Sequence, residues 1–285
     1  NYNKIIIFNQ KYFKLFNNHN SVYYLDFYNS NLNQVYQSFY LFSKNISFNH
    51  NLFKLSYNDL PYVSICLLTH NRYKFIKNLF NHYYYNNNYP SNKIEYIIID
   101  DGNQNIIDFL PKNKSNIKYY KYLQKQSISW KRNKAVQLSK FNIIAFIDDD
   151  DYYPPQSLYL RIYNLLKSKK KCIFCSTLGC FDIINKNSII QSTNIYNPLH
   201  KRVSEATLTF FKDFWLEKNF NNNDFINEGS YFIFNREEQC LDISFHNIII
   251  HLLHNNNTIP KYIDKELNNG SHFNFSDNIF QLIMS

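Results

Sequence analysis

The sequence predicts an α/β fold of the doubly wound kind, and three observations carry that prediction. Short apolar runs of strand length alternate with segments whose apolar residues recur at helical spacing. Three of the runs stop abruptly at polar residues: Thr69, Asn71 and Arg72 after the first, Asp100 and Asp101 after the second, and Asp148, Asp149, Asp150 and Asp151 after the fourth. The order is strand, helix, strand, strand, helix, strand, helix, as in a mixed, mostly parallel sheet with helices on both faces.

The elements follow in order. Tyr62-Val-Ser-Ile-Cys-Leu-Leu68 is continuously apolar enough for a buried parallel strand. Phe75, Ile76, Leu79, Phe80 and Tyr83 then mark one face of a helix. Strands are expected over residues 94–99, 117–122 and 143–147, with a helix over 130–139. Pro154 and Pro155 suit the first turn of a further helix, whose buried face would carry Leu158, Ile162, Leu165 and Leu166. Beyond Cys172 the pattern turns to hairpins, with apolar residues 181–184 and 188–190 flanking the polar stretch 185–187. A helix is expected over 212–218 and strands over 231–234 and 247–253. In open α/β sheets the carboxyl ends of the strands line one crevice, so the three polar ends predict a single site built from separate segments.

Residues 1–60 are aromatic-rich and irregular, with a strand at 4–8 and a helix near 34–42; they read as an accessory segment of unknown role. Residues 61–260 form the main domain in this reading and 261–285 a C-terminal tail. The chain starts without Met and so reads as part of a longer one.

Composition removes several function classes. The 285 residues include only 4 glycines, and none are spaced for a dinucleotide-binding loop, a P-loop or a nucleophile elbow. No H-E-x-x-H occurs. The net charge of +9 is spread out; its densest run, residues 167–171, reads as a helix end facing water, so nucleic acid is not expected as a partner. The 5 cysteines are odd in number and lie mostly in apolar runs, as free thiols of a reducing, cytoplasmic compartment would. Cys172 and Cys175 read as part of a buried strand and not as a zinc pair. No apolar run reaches the roughly 18 residues of a membrane span.

The four consecutive aspartates demand a reason. Two like charges about 4 Å apart repel by roughly 4 kcal/mol at an effective dielectric near 20. A bound cation or screening water relieves this. Alternation along an extended chain would put Asp148 and Asp150 on one side. Carboxylates there suit Mg2+ or Mn2+, cations that share phosphate oxygens with their protein ligands. A solvated acidic loop is the other reading.

Four segments, in order and each read as lying at a strand end, resemble the family 2 glycosyltransferases of GT-A fold: Val63-Ser-Ile-Cys-Leu-Leu-Thr-His-Asn-Arg72, Tyr96-Ile-Ile-Ile-Asp-Asp-Gly102, Trp130-Lys-Arg-Asn133 and Phe146-Ile-Asp-Asp-Asp-Asp-Tyr-Tyr-Pro154. The resemblance spans residues 62–258. It implies a Rossmann-like nucleotide-binding half joined to an acceptor-side half. It further implies transfer of a sugar from a nucleoside-diphosphate sugar, UDP-linked by default, to a hydroxyl of a glycan, lipid or protein, with inversion.

By the same resemblance, Thr69, Asn71 and Arg72 contact the nucleotide. Asp100 and Asp101 match the acidic pair that meets base or ribose. Arg132 and Asn133 match a pair near the nucleotide sugar. Asp148 and Asp150 match the D-x-D motif that holds Mn2+ or Mg2+, with Asp149 beside the donor and Asp151 either on the sugar or holding the loop. Glu205 lies in a segment that resembles one near the acceptor. Glu228 stands where the family has its catalytic base, and His254 resembles a late histidine that approaches metal or diphosphate. Two departures stand out: Glu228 is followed by Gly229 where the family has an acidic pair, and Ser127 replaces a usual glycine. The incomplete pair leaves a non-catalytic nucleotide-sugar or glycan-binding module as the alternative. A sugar-phosphate nucleotidyltransferase would need glycines in the first loop, which has none. Trp130 and Trp215 read as packing residues before sugar platforms.

Overall fold

The computed structural model describes residues 59–255 and 257, apart from 113, 185–186, 193–195 and 225, and three strands nearer the N-terminus. Those strands, β1 (Ile5–Asn9), β2 (Tyr12–Phe16) and β3 (Val22–Asp26), form an antiparallel meander in which Ile5 faces Phe16 and Tyr12 faces Asp26. β1 answers the strand expected at 4–8. The helix expected near 34–42 and the tail 261–285 lie outside the described residues. The meander and the remainder fall in two compact units, and each is described by itself.

The larger unit is built on a mixed sheet. Its strands are β4 (Val63–Thr69), β5 (Ile94–Asp100), β6 (Ile117–Lys121), β7 (Ile143–Asp148) and β8 (Cys172–Phe174). β9 (Thr177–Asp182) and β10 (Asn187–Ser192) leave it as the expected hairpin. β11 (Thr209–Phe211) and β12 (Cys240–Asp242) return to it, and β13 (Ile250–Leu253) joins β9. The main sheet has seven strands in the order β12-β8-β11-β7-β4-β5-β6, and only β11 runs against its neighbours.

Every residue of β4 and β5 is buried, as a parallel strand covered on both faces requires. Helices α1 (Tyr73–Leu79), α2 (Ile128–Leu138) and α3 (Ser157–Ser168) supply the cover, with short α4 (Lys212–Glu217) and α5 (Glu228–Ile233) later in the chain. Alternate residues Cys66, Leu68, Ile97, Ile99, Ile144 and Phe146 share one core with Ala135 and Val136 of α2 and with a group of phenylalanines from 210 to 232. Ile76, Leu79, Phe80 and Tyr83 are buried as their spacing predicts, although the helix widens into a π turn over Phe80–Tyr84. α2 starts two residues earlier than expected because the Ser127 hydroxyl accepts the Trp130 N–H at 3.0 Å and caps it. The two prolines lie just before α3, where Pro154 O accepts the Ser157 N–H at 2.9 Å. The basic run closes α3 with Lys169 in left-handed backbone (φ 57°).

One expected element is wrong in kind. Residues 231–234 are not a strand; most belong to α5, whose Phe232 stacks on Phe220 at 4.0 Å in the core. A four-residue apolar run carries no period, and burial between phenylalanines decided its form. The strand expected over 247–253 is shortened to β13, because Asn247 takes a positive φ of 60° and the Ile248 N–H turns back to Phe245 O. All five cysteines are free and buried, and Cys172 lies in β8 as expected. Among the described residues no helix is long and apolar enough to cross a membrane.

Strand register positions the site. Thr69 is paired with Asp100, and Leu68 with Asp148, so the polar ends of β5, β4 and β7 lie side by side.

Candidate active site

At the β4 and β5 ends two loops interlock. Asn71 adopts φ 55°, and its Oδ1 accepts the N–H groups of Asn103 (2.6 Å) and Gln104 (3.1 Å). Gly102 allows this approach, since a Cβ there would lie 2.4 Å from the Asn71 backbone nitrogen. Asp100 is fully buried and accepts from Gly102 N–H (2.8 Å), Tyr119 OH (2.7 Å) and Lys121 Nζ (2.8 Å). Asp101 joins three segments: His70 Nδ1 at 3.0 Å, Lys131 Nζ at 2.9 Å and the Gln126 N–H at 2.7 Å. Burial alone would raise its pKa, yet the Gln126 N–H and Lys131 hold the carboxyl below its ordinary value. The acidic pair therefore orders the loops around the crevice.

Asp148 closes β7, and the Tyr153 hydroxyl accepts its N–H at 2.8 Å. The chain turns immediately, so the strand alternation expected through Asp150 ends at Asp148. Asp149 and Asp150 instead share Arg72, whose Nη1 donates at 2.9 and 2.7 Å. The turn nonetheless gathers Asp148, Asp150 and Asp151, with one oxygen of each within 4.8 Å of the others. Asp151 Oδ1 takes His251 Nδ1 at 2.7 Å and the Leu252 N–H at 3.1 Å, which ties β13 to the cluster. His254 stacks on Phe75 at 4.5 Å and brings Nε2 to 3.3 Å from Asp150.

The electrostatics are unbalanced. Burial pushes Asp148 up to about 7, with Arg132 opposing and the neighbouring aspartates adding. Burial and Asp150 push Asp149 up to about 6 against Arg72. Asp150 moves the other way: burial would raise it, but His254 and Arg72 hold it below its ordinary value. Asp151 Oδ2 is buried with no hydrogen-bond partner among the described residues. Clustered oxygens, an orphan acceptor and raised proton affinity fit a divalent cation with oxygen ligands.

The opposite wall is built on Arg132 of α2. Its guanidinium is 1% exposed, lies 4.6 Å above the Phe146 ring, donates Nε–H to Glu228 Oε1 at 2.6 Å and stands 3.8 Å from Asp148 Oδ1. Glu228 opens α5 and is 3% exposed. Glu205 sits in a 3-10 turn (Glu205–Thr207), and its Oε1 accepts the Gly229 N–H at 3.0 Å. Burial and Glu228 push Glu205 up to about 7 against Arg132. A Cβ at Gly229 would lie 2.8 Å from Glu205 Oε1, so the glycine after Glu228 is what admits Glu205.

Asn133 is scaffold: it accepts from Trp215 Nε1 (2.8 Å) and Phe220 N–H (3.1 Å) and donates to Phe220 O (2.8 Å) and Asn222 Oδ1 (2.7 Å). Trp215 is core, as expected, and Trp130 packs edge-on against Tyr122 at 4.9 Å. Sequence reasoning passed over Lys131, His70 and His251. Lys131 carried a usable signal, lying beside Arg132 at the start of a helix aimed at the crevice.

The family sequence profile described as Glycosyl transferase family 2 matches residues 64–239, more than half of the chain. The chain belongs to glycosyl transferase family 2. Its fold is the GT-A fold that the four motifs imply. No curated protein matches it. Among solved structures, this chain is similar to residues 1–349 of TarS from S. aureus at 16% identity and a TM-score of 0.53, over 67% of this chain and 60% of that one. It is also similar to the mannosyltransferase PcManGT from Pyrobaculum calidifontis, solved with GDP-Man and Mn2+, at 12% identity and a TM-score of 0.55, over 78% of this chain and 66% of that one. The TarS fragment has also been solved with UDP-GlcNAc, and there the TM-score is 0.54 at 16% identity over 69% of this chain and 60% of that one. The chain thus spans 60% of the TarS fragment's length.

Proposed function

We propose that this glycosyltransferase moves a sugar from a nucleoside-diphosphate sugar to an acceptor hydroxyl by metal-dependent single displacement with inversion. The observation that carries the reading is the trio Asp148, Asp150 and Asp151, with oxygens within 4.8 Å, at the carboxyl end of β7. Asp148 and Asp150 are the proposed ligands of Mn2+ or Mg2+, and His254 stands close enough to Asp150 to join them. A divalent cation bound there supplies Lewis-acid neutralisation of the diphosphate.

The chain's own residues divide the remaining work. Thr69, Asn71, Arg72, Asp100, Asp101 and Asp149 form or brace the nucleotide cradle in this proposal. Arg132 places positive charge beside Asp148, where the leaving group would gain negative charge. A carboxylate of the acceptor wall, which holds Glu228 and Glu205, takes the acceptor proton as its oxygen attacks the anomeric carbon. UDP is the default nucleotide; the GDP-Man complex of PcManGT makes GDP the second to test. The acceptor is a glycan, lipid or protein. The proposed catalytic domain is residues 61–260, with 1–60 accessory and 261–285 a tail. Buried free thiols support a reducing, cytoplasmic setting.

Thermal stability with UDP, GDP and their sugars, with Mn2+ and then with EDTA, tests the donor site. A ligand at 100 times its dissociation constant adds about 2.7 kcal/mol. A metal-dependent rise with one nucleotide class, together with sugar transfer, supports the reading. Binding without turnover on any acceptor would favour the non-catalytic module, and no rise with any nucleotide would remove the donor site.

A further inference from the structure

We propose that Glu205, and not the motif residue Glu228, takes the proton from the acceptor hydroxyl, and that Glu228 is a positioning residue for Arg132. The inference rests on the transfer reaction proposed above. Glu228 is poorly suited to accept a proton. It is 3% exposed, and its Oε1 is bonded at 2.6 Å to the Nε–H of a guanidinium that is itself 1% exposed. Protonating Glu228 would leave a buried positive charge without its partner, which is strongly unfavourable.

Glu205 is differently placed. It is half-buried, and the Gly229 N–H orients its carboxylate through one oxygen at 3.0 Å. Its turn is tied to the acid cluster by one hydroxyl: Tyr153 OH accepts from Asp148 N–H at 2.8 Å and donates to Ala206 O at 3.3 Å. The charged groups that face Glu205 are Glu228 from α5 and Arg132 from α2. Burial and Glu228 lift Glu205 to about 7, so it exchanges a proton near neutral pH, as a general base should. In the step itself the acceptor oxygen bonds to the anomeric carbon and its proton passes to Glu205. The bond to the diphosphate oxygen breaks, and its electron pair leaves on the diphosphate.

The test compares wild type, Glu205→Gln and Glu228→Gln at saturating Mn2+, so that Asp148 is not the titrating group. Release of UDP from UDP-GlcNAc or of GDP from GDP-mannose is followed against pH, beside Mn2+-UDP affinity and a carboxyl-carbon NMR titration of glutamate-labelled protein. Wild-type turnover should rise with pH to a plateau above about 7. Glu205→Gln should lose about 100-fold in turnover or more, together with that rise, and keep its Mn2+-UDP affinity. Glu228→Gln should keep the rise but shift it to lower pH, because the like charge beside Glu205 is gone. Wild-type turnover in Glu205→Gln, or a Glu205 signal titrating in the ordinary carboxylate range, would overturn the inference. If wild type turns over neither donor, the transfer reading fails. The NMR titration still decides whether Glu205 exchanges its proton near neutrality and whether Glu228 sets that value.

Discussion

Arg132 donates its Nε–H to Glu228 at 2.6 Å, and both side chains are almost wholly buried. The pair joins α2 to α5, and the same guanidinium reaches to 3.8 Å from Asp148. Removing one partner of a buried ion pair strands the other charge, at a cost of about 3–5 kcal/mol. Glu228→Ala should therefore lower the unfolding free energy by that order in a urea titration. Arg132→Met combined with Glu228→Met should recover much of the loss while remaining inactive. A double variant no more stable than Glu228→Ala would show that α5 depends on something other than this pair.

Asp150→Ala should abolish metal-dependent transfer and leave the fold nearly intact. Asp150 contributes to a cluster of like charges, and Arg72 keeps its bond to Asp149 when Asp150 is gone. The check is Mn2+-dependent turnover beside the thermal midpoint. Turnover like that of wild type would remove Asp150 from the mechanism.

The metal-free protein should lose stability as pH rises from about 4 to about 7. Asp148 and Asp149 have folded-state values raised from 3.8 to about 7 and about 6. Over that window the folded state binds more protons than the unfolded one, so deprotonation disfavours folding. Asp101 and Asp150 are depressed and act with the opposite sign, favouring the fold above their unfolded values and losing that benefit as pH falls. Mn2+ should displace the protons on Asp148, so its affinity should rise with pH across the same window. Urea midpoints at a series of pH values, with EDTA and with Mn2+, measure both slopes. A metal-free stability flat between pH 5 and 7 would count against an uncompensated acid cluster.

Much of this was legible before any coordinates. The apolar runs ending in Thr69, Asp100 and Asp148 read as buried parallel strands with polar ends, and β4 indeed lies between β5 and β7 with those ends side by side. What escaped depended on contacts distant in sequence. The run 231–234 has no period, and only its burial beside Phe220 makes it helical. Strand alternation did not foresee the turn that hands Asp149 and Asp150 to Arg72. Asn133 reads as a ligand beside Arg132 until its four bonds to Trp215, Phe220 and Asn222 are seen. Glu205 and Gly229 are distant in sequence, and nothing in either segment announces that one oxygen fills the space a side chain would take.

Two glycines should separate donor binding from proton transfer. At Gly102 a Cβ would meet the Asn71 backbone nitrogen at 2.4 Å, two residues beyond the Thr69–Asp100 pair that ends the β4–β5 ladder, and backbone cannot swing aside as the end of a side chain can. Gly102→Ala should force the first two loops apart, break the Asn71 bonds to Asn103 and Asn71 to Gln104, and weaken nucleotide binding along with stability. Overpacking of this kind costs about 1–3 kcal/mol. At Gly229 the Cβ would meet side chains, Glu205 Oε1 and Val203 Cγ1, both at 2.8 Å. Gly229→Ala should displace the Glu205 carboxylate, lowering turnover while nucleotide affinity stays near wild type. Isothermal titration with UDP and Mn2+, set beside donor turnover for each variant, distinguishes the two. If Gly229→Ala weakened UDP binding as much as Gly102→Ala does, the acceptor wall and the nucleotide cradle would not be separate parts of the site.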